Sequence, residues 1–221
     1  MFITYTTTDG VRHDSHDITD SGTADPNEPP APLPTLAAMP GWSADATPTT
    51  ASRADVDACV AAIAGRGAGS ASAVLAESRG DFESLLVEHS SDGDQAYCVV
   101  KNGIIQWSNE LGEVKPGQPS APDAAQVVQE LSVDGTVAST RLEIALGDAG
   151  VGVTSVILHF ADNLTVTATV NNGTWMAWWP AAQPAALAAP GASAPPTEAP
   201  APTGPPIISW TTTDGVSHDA P

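Results

Sequence analysis

The first regular pattern of apolar residues along the chain predicts a helix between residues 52 and 65. Ser52, with Asp55 three residues later, is typical of a capped helix start, and Gly65 or Gly67 ends the pattern. The apolar residues follow the three- and four-residue spacing of one helix stripe: Val56, Cys59, Val60 and Ile63. The sequence therefore predicts one amphipathic helix whose apolar face includes Cys59.

After the helix the pattern changes to short alternating or apolar runs that are separated by glycine, Asp-Gly and Asn-Gly, as in β-strands joined by tight turns. The predicted strands are residues 73–77, 82–88, 96–100, 104–107, 141–146, 153–160, 164–170 and 174–179. Residues 124–131 stay unassigned, because Pro122 and Asp123 suggest a helix start whereas the apolar residues alternate as in a strand. The predicted fold class is α+β: mainly antiparallel β, with about seven or eight strands as a sandwich or open barrel, and one N-terminal helix.

Two proline-rich segments divide the chain into domains and linkers. Residues 16–51, rich in Asp, Pro and Ala, and residues 181–206, rich in Pro and Ala, favour disordered or extended linkers over a packed core. Between them, residues 52–180 are predicted to form one compact β-rich domain. Residues 1–15 are then a detached strand or hairpin, and residues 207–221 hold a C-terminal strand that is expected to dock on the domain.

The two ends of the chain carry a repeat. Residues 4–14 (TYTTTDGVRHD) recur as residues 209–219 (SWTTTDGVSHD), with eight of eleven positions identical. Threonines and an aromatic residue before Asp-Gly predict a strand that runs into a tight turn. Three interpretations are open. The first copy is the remnant of a longer reading frame that begins upstream of Met1, or the copies pair in one sheet, or chains exchange them as equivalent strands. The chain is accordingly expected to be a monomer or a strand-swapped dimer.

The charge and hydropathy of the chain argue against two kinds of partner. Its 221 residues include 7 Lys and Arg against 26 Asp and Glu, a net charge of -19 that repels nucleic acid and anionic membrane surfaces. No run approaches the ~20 apolar residues of a membrane span, and the first residues lack the features of a secretory leader. We therefore expect no nucleic-acid partner and no membrane span in this chain.

Cys59 and Cys98 are the two cysteines of the chain, and they fall on the predicted helix and on a predicted strand. Their spacing lacks the CxxC pairs and nearby histidines of a zinc site, so a disulfide and two buried thiols are the alternatives. A disulfide would indicate an oxidising compartment. The missing leader points the other way.

No pattern of residues typical of catalysis, a metal site or a cofactor site stands out. The chain contains no Gly-x-Ser-x-Gly, no P-loop and no His-Glu-x-x-His. His13 and His16, three residues apart with acidic neighbours, have a composition suited to a transition metal, but a polar strand end is the favoured interpretation. We therefore predict no catalytic residues, no metal site and no cofactor.

One dense aromatic cluster, formed by Trp175, Trp178 and Trp179, is the candidate ligand-binding site. Strand alternation places Trp175 and Trp179 on one face of a strand and Trp178 on the other. In one interpretation, one face fills the core and the other lies under a loop or linker. In the other interpretation, exposed indoles bind sugars or the apolar side chains of a partner.

Four motifs resemble those of a group of uncharacterised actinobacterial proteins. They are RGDF at 79–82, YCVV at 97–100, VTSVILHFAD at 153–162 and TWMAWWP at 174–180, and the resemblance spans residues 53–221. Members of this group are typically tethered outside the membrane by one N-terminal helix and end in a strand after Trp-Trp-Pro. The resemblance implies an extracytoplasmic or cell-envelope location. It also supports a Cys59–Cys98 disulfide and a start upstream of Met1, and it carries no activity.

The function predicted from these features is that of a non-catalytic, envelope-associated domain that acts in structure or protein recognition. A carbohydrate- or other ligand-binding module that uses Trp175, Trp178 and Trp179 is the first alternative, and an unrecognised hydrolase is the second. The expected partner is therefore a protein or a glycan.

Overall fold

A computed structural model describes residues 33–63, 71–89, 93–112, 126–182 and 205–219, together with the backbone of two short strands at residues 3–6 and 12–15. Within these residues the chain forms one α-helix, α1 (Arg53–Ala62), a short 3-10 helix (Ala161–Asn163) and fourteen strands. The strands are β1 (Ile3–Thr6), β2 (Arg12–Ser15), β3 (Thr47–Pro48), β4 (Ala71–Arg79), β5 (Phe82–His89), β6 (Gln95–Lys101), β7 (Ile104–Gly112), β8 (Val127–Val137), β9 (Thr140–Ala149), β10 (Val153–His159), β11 (Thr165–Asn171), β12 (Thr174–Pro180), β13 (Ile207–Thr212) and β14 (Ser217–Asp219).

The described strands pair antiparallel throughout, and most of them form two sheets. The first sheet has the order β3-β4-β5-β6-β7, and the second has the order β14-β13-β10-β11-β12-β9-β8. The described part of the chain is thus mainly antiparallel β with a single α-helix, which confirms the predicted β-rich α+β fold class. β1 and β2 form a separate two-stranded hairpin, and β1 lies beside β8.

The two sheets pack face to face across an apolar core. The side chains that meet there are Leu75, Phe82, Leu86, Tyr97 and Val99 from the first sheet, and Leu142, Ile144, Leu146, Met176 and Trp178 from the second. α1 covers the opposite face of the first sheet with the apolar stripe that the sequence predicts. Its start is fixed by Ser52, whose hydroxyl accepts a hydrogen bond from the Asp55 N–H at 3.1 Å.

The second sheet bends back on itself at β11. Residues 165–168 of β11 pair with β10, whereas residues 169–171 pair with β12. A strand that changes partners in this way makes a corner in a sheet. The bend brings β10 and β13 over β9 and β12 and encloses a second core, whose members include Ala145, Val156, Phe160, Val166, Trp175, Trp179 and Ile208.

The segment that the sequence leaves unassigned, residues 124–131, falls largely in β8. This strand pairs with β9 along its length, with a register shift between Gln129 and Leu131. The alternation of apolar residues therefore indicates the observed element, and Pro122 and Asp123, which suggest a helix start, lie outside the described residues. In the described residues from 71 to 180 the chain therefore has nine strands, where the sequence predicts seven or eight.

Gly135 in β8 is a point of close approach to the first sheet, because a Cβ atom at this position would overlap the indole of Trp107 on β7. We expect Gly135→Ala to lower the free energy of unfolding by roughly 1–3 kcal/mol, since a packed core relaxes poorly around an added methyl group. Urea denaturation measures the loss. In a Trp107→Leu background the same substitution should cost less than half as much, and an equal cost in both backgrounds would contradict the contact.

Residues 33–51, which the sequence assigns to a disordered linker, pack on the domain instead. Leu36 forms a β-bridge with Ala181, and Trp42 packs edge-on against Trp178 with 6.2 Å between ring centroids. The prediction is wrong for this part of the linker. Its proline content favours an extended linker, but its apolar side chains, among them Leu36, Met39 and Trp42, pack into the two cores.

The other parts of the predicted linkers, residues 16–32 and 183–204, lie outside the described residues. After the second of these segments, β13 joins the second sheet beside β10, and β14 pairs with β13. Among the residues that the structure describes, no helix is long and apolar enough to cross a membrane.

Candidate functional site

The two cysteines form a disulfide between α1 and β6. Cys59 and Cys98 have Cα atoms 5.8 Å apart, and both side chains are fully buried. The bond lies in the apolar layer between the helix and the first sheet, where it fixes α1 on the sheet. Of the two alternatives that the sequence leaves open, the structure has the disulfide, so the predicted Cys59–Cys98 pairing is confirmed.

The tryptophan cluster is buried on both faces of β12. Trp175 and Trp179 face the core that the bent second sheet encloses, and Trp178 faces the core between the sheets, so the predicted alternation is confirmed. None of the three side chains is more than 2% exposed. Stacking of a sugar or a partner side chain needs an exposed ring face. The geometry of this cluster therefore fits the core-filling interpretation and offers no ligand platform.

A buried ion pair on β4 is a feature that the sequence analysis does not single out. Glu77 and Arg79 lie on the same face of the strand, both are fully buried, and Arg79 Nε is 2.6 Å from Glu77 Oε1. The guanidinium also donates to two backbone carbonyls, that of Ala44 at 2.8 Å and that of Thr167 at 2.5 Å. One side chain thus joins the first sheet to the segment before α1 and to β11.

The groups around this ion pair are buried as well. Ser84 on β5 donates its hydroxyl proton to Glu77 Oε1 at 3.3 Å. Burial raises the pKa of Tyr97 well above its ordinary value, and the negative charge of Glu77 raises it further. Tyr97 is therefore a neutral phenol at physiological pH. Because all of these side chains are buried, the cluster has no face open to a substrate.

The C-terminal hairpin, β13–β14, is docked on the edge of β10. β13 pairs with β10 along Val153–His159. Ile208 is 8% exposed and belongs to the core of the bent sheet, and Ser209 Oγ lies 2.6 Å from His159 Nε2. A main-chain ladder with a few selective side-chain contacts is the arrangement by which extended segments add to sheet edges. The β10 edge is therefore the candidate binding site.

The turn of this hairpin is fixed by its own side chains. Thr212 Oγ1 donates to Asp214 Oδ1 at 2.5 Å, and the Val216 N–H donates to the same oxygen at 3.2 Å. These hydrogen bonds, that from Thr212 first, hold the pKa of Asp214 below its ordinary value. The carboxylate therefore supports the turn above the ordinary Asp pKa, and this contribution is lost as the pH falls through the lowered pKa.

The described strands of the N-terminal copy of the repeat pair in the same register as those of the C-terminal copy. In β13–β14, Trp210 pairs with His218, and their rings stack with 5.5 Å between centroids. In β1–β2 the pairing places Tyr5 opposite His13, which are the same two positions of the repeat. The repeat in the sequence is thus a repeat of strand register. The two copies belong to different sheets, so the interpretation in which they pair with each other is wrong.

Metal binding finds no support in the described part of the chain. No group of three or more His, Cys, Asp or Glu side chains comes together there to hold a metal ion. The side chains of His13 and His16, the pair with a composition suited to a metal, lie outside those that the structure describes.

The fold and the docking site define a disulfide-bonded β domain of two sheets that carries a hairpin on one sheet edge. Comparison of the chain with protein-family models, with curated proteins and with solved structures finds no match.

Proposed function

We propose that this chain is a non-catalytic protein-recognition domain of the cell envelope, and that it binds its partner by strand addition at the edge of β10. The observation that carries the proposal is the docking of β13 on β10. Residues 183–204, which separate this hairpin from the domain, are rich in Pro and Ala, a composition typical of a spacer. The docking and this composition support the interpretation of the hairpin as a tethered ligand of the domain.

The docking site has the two parts that strand recognition requires. The ladder between β10 and β13, extended by the Thr213 N–H donating to the Gly152 carbonyl at 2.7 Å, supplies affinity that does not depend on side chains. Ile208 in the core and Ser209 against His159 supply the selection among sequences. In known cases of strand addition to a sheet edge, main-chain hydrogen bonds likewise give affinity and side-chain contacts give specificity.

Three features support the compartment and the class of partner. Disulfides such as Cys59–Cys98 persist mainly in oxidising compartments, which favours a location outside the cytoplasm. The resemblance to membrane-tethered actinobacterial proteins points to the same location. A net charge of -19 favours a protein partner over nucleic acid.

The two alternative functions have less support. Carbohydrate binding at Trp175, Trp178 and Trp179 would need an exposed ring face, and all three indoles are buried. A hydrolase would need acidic and histidine side chains that converge. Glu143 instead pairs with its neighbour Arg141 at 3.1 Å, and His159 contacts the docked hairpin.

The proposal predicts that a peptide copying residues 205–221 binds the full chain in trans. The chain's own hairpin occupies β10, so the labelled peptide should bind the native chain weakly. Ile208→Asp places a charge at the buried position of β13 and releases the hairpin. The peptide should then bind at least about tenfold more tightly, which corresponds to about 1.4 kcal/mol. Fluorescence anisotropy measures the affinity.

Ile104→Asp is the matched control for this titration, because Ile104 is 64% exposed and lies on the other sheet. Ile208→Ala, a smaller change at the same buried position, should shift the affinity in the same direction as Ile208→Asp. If the peptide binds all three variants with the affinity it has for the native chain, recognition at β10 is refuted.

A further inference from the structure

We propose that the N-terminal hairpin, residues 2–15, is a second ligand of the β10 edge, and that it binds this edge in a second copy of the chain, in place of that copy's β13–β14 hairpin. This inference rests on the proposed function, since it names the partner of the same site. The product is a head-to-tail link between two chains.

The buried side chains that hold the C-terminal hairpin recur in the N-terminal copy. When residues 2–15 are aligned with residues 207–220, Ile3 corresponds to Ile208 and Thr7 to Thr212. Ile208 and Thr212 are the buried residues of β13, with exposures of 8% and 6%. Both buried positions are therefore identical in the two copies.

The polar and aromatic contacts of the docked hairpin also have counterparts in the N-terminal copy. Thr4 replaces Ser209 and keeps the hydroxyl group that contacts His159. Tyr5 replaces Trp210, and it pairs with His13 in the strand register as Trp210 pairs with His218. Because the register of the two hairpins is the same, these groups reach the same positions when β1 takes the place of β13.

Two further differences between the copies fall where the docked hairpin faces solvent. Phe2 stands in place of Ile207, which is 46% exposed, and Arg12 stands in place of the exposed Ser217. Substitutions at exposed positions have little effect on packing. The N-terminal hairpin thus carries the full set of docking side chains, although among the described strands β1 and β2 pair only with each other.

The numbers of hairpins and docking edges favour a second copy of the chain as the partner. Each chain has two such hairpins for one β10 edge, and β13 occupies that edge. Its tether gives β13 an effective concentration in the millimolar range, so exchange increases with protein concentration. A hairpin from a second chain displaces β13–β14, which can then bind a third chain. β1 has to leave its position beside β8, where no strand ladder holds it among the described strands.

Cysteine trapping between two full-length chains tests this link. Ser155 on β10 is paired with Thr211 of β13, and Thr6 is the counterpart of Thr211 in the N-terminal copy. One chain carries Thr6→Cys, and a second chain with a larger tag carries Ser155→Cys, so the new disulfide can join them only between chains. We expect a cross-linked heterodimer on non-reducing electrophoresis, with a yield that rises with protein concentration.

Two further variants and two controls sharpen the test. Ile208→Asp in the Ser155→Cys chain removes the competing hairpin and should raise the yield at least about tenfold. Ile3→Asp in the Thr6→Cys chain should return the yield to background. That background is set by the Thr6→Cys chain mixed with a chain that carries Gln106→Cys, since Gln106 is exposed on β7. One chain with both Ser155→Cys and Thr211→Cys is the positive control for geometry.

The inference is overturned if the cross-linking yield stays at this background for both acceptor chains, the one with the native Ile208 and the one with Ile208→Asp. The native acceptor is assayed as well, so the result does not depend on how Ile208→Asp folds. If the peptide of residues 205–221 binds while the cross-linking yield stays at background, strand recognition at β10 is supported. The N-terminal hairpin of a second chain is then refuted as its partner. If the peptide also fails to bind, the proposed function fails with the inference.

Discussion

Replacement of Arg79 by leucine will lower the free energy of unfolding by about 3–5 kcal/mol, because it leaves the buried carboxylate of Glu77 without a counter-charge. The backbone carbonyls of Ala44 and Thr167 lose a hydrogen-bond donor at the same time. The Ala44 carbonyl lies in the segment before α1 and the Thr167 carbonyl lies in β11, so the loss affects the contacts of the first sheet with both. Urea denaturation followed by tryptophan fluorescence measures it.

The exposed ion pair between Arg53 and Asp57 provides the control for this prediction. Its atoms are 2.7 Å apart, but the two side chains are 63% and 47% exposed. Asp57→Asn should therefore change stability by less than about 1 kcal/mol. Glu77→Leu combined with Arg79→Leu removes both buried charges and should regain part of the loss. Equally small losses for Arg79→Leu and Asp57→Asn would show that the buried pair does not hold the sheets together.

Removal of the disulfide, by Cys59→Ala with Cys98→Ala, is expected to lower the free energy of unfolding by about 4 kcal/mol. The bond closes a loop of 39 residues, and in the chain-entropy model a loop of this length restricts the unfolded chain by that amount. The slope of the free energy against urea concentration should increase, because the unlinked chain exposes more surface when it unfolds. Urea denaturation gives both quantities.

The native chain treated with a thiol reductant is the companion experiment. Both sulfur atoms are fully buried, so the reductant should leave the bond intact in the folded chain and break it only in urea. A double variant within about 1 kcal/mol of the native chain would show that closing this loop contributes little to stability.

Local patterns in the sequence predict the helix, most of the strands and the arrangement of the tryptophans. The cap at Ser52 and the apolar stripe after it are properties of neighbouring residues, and α1 forms there. The alternation along β12 places Trp178 opposite Trp175 and Trp179. The burial of both faces depends instead on the bend at β11, which brings distant strands over β12. The alternation of residues along β12 does not predict this bend.

Contacts between distant residues account for what the sequence analysis misses. Glu77 and Arg79 are opposite charges two positions apart, a pattern that suits a solvent-exposed strand face equally well. The groups that make their burial tolerable belong to residues 44 and 167, which no local pattern connects with β4. The burial of Trp42 also depends on a residue that is distant in sequence, because it packs against Trp178 on β12.

The strand that covers β10 comes late in the order of synthesis. β10 ends at His159 and β14 at Asp219, so about 60 residues, added at roughly 5–20 per second, leave the β10 edge uncovered for roughly 3–12 s in each new chain. Residues 2–15 have been synthesised by then. If residues 2–15 bind this edge, as we propose, then the order of synthesis gives them an interval in each new chain during which β13 does not compete for it.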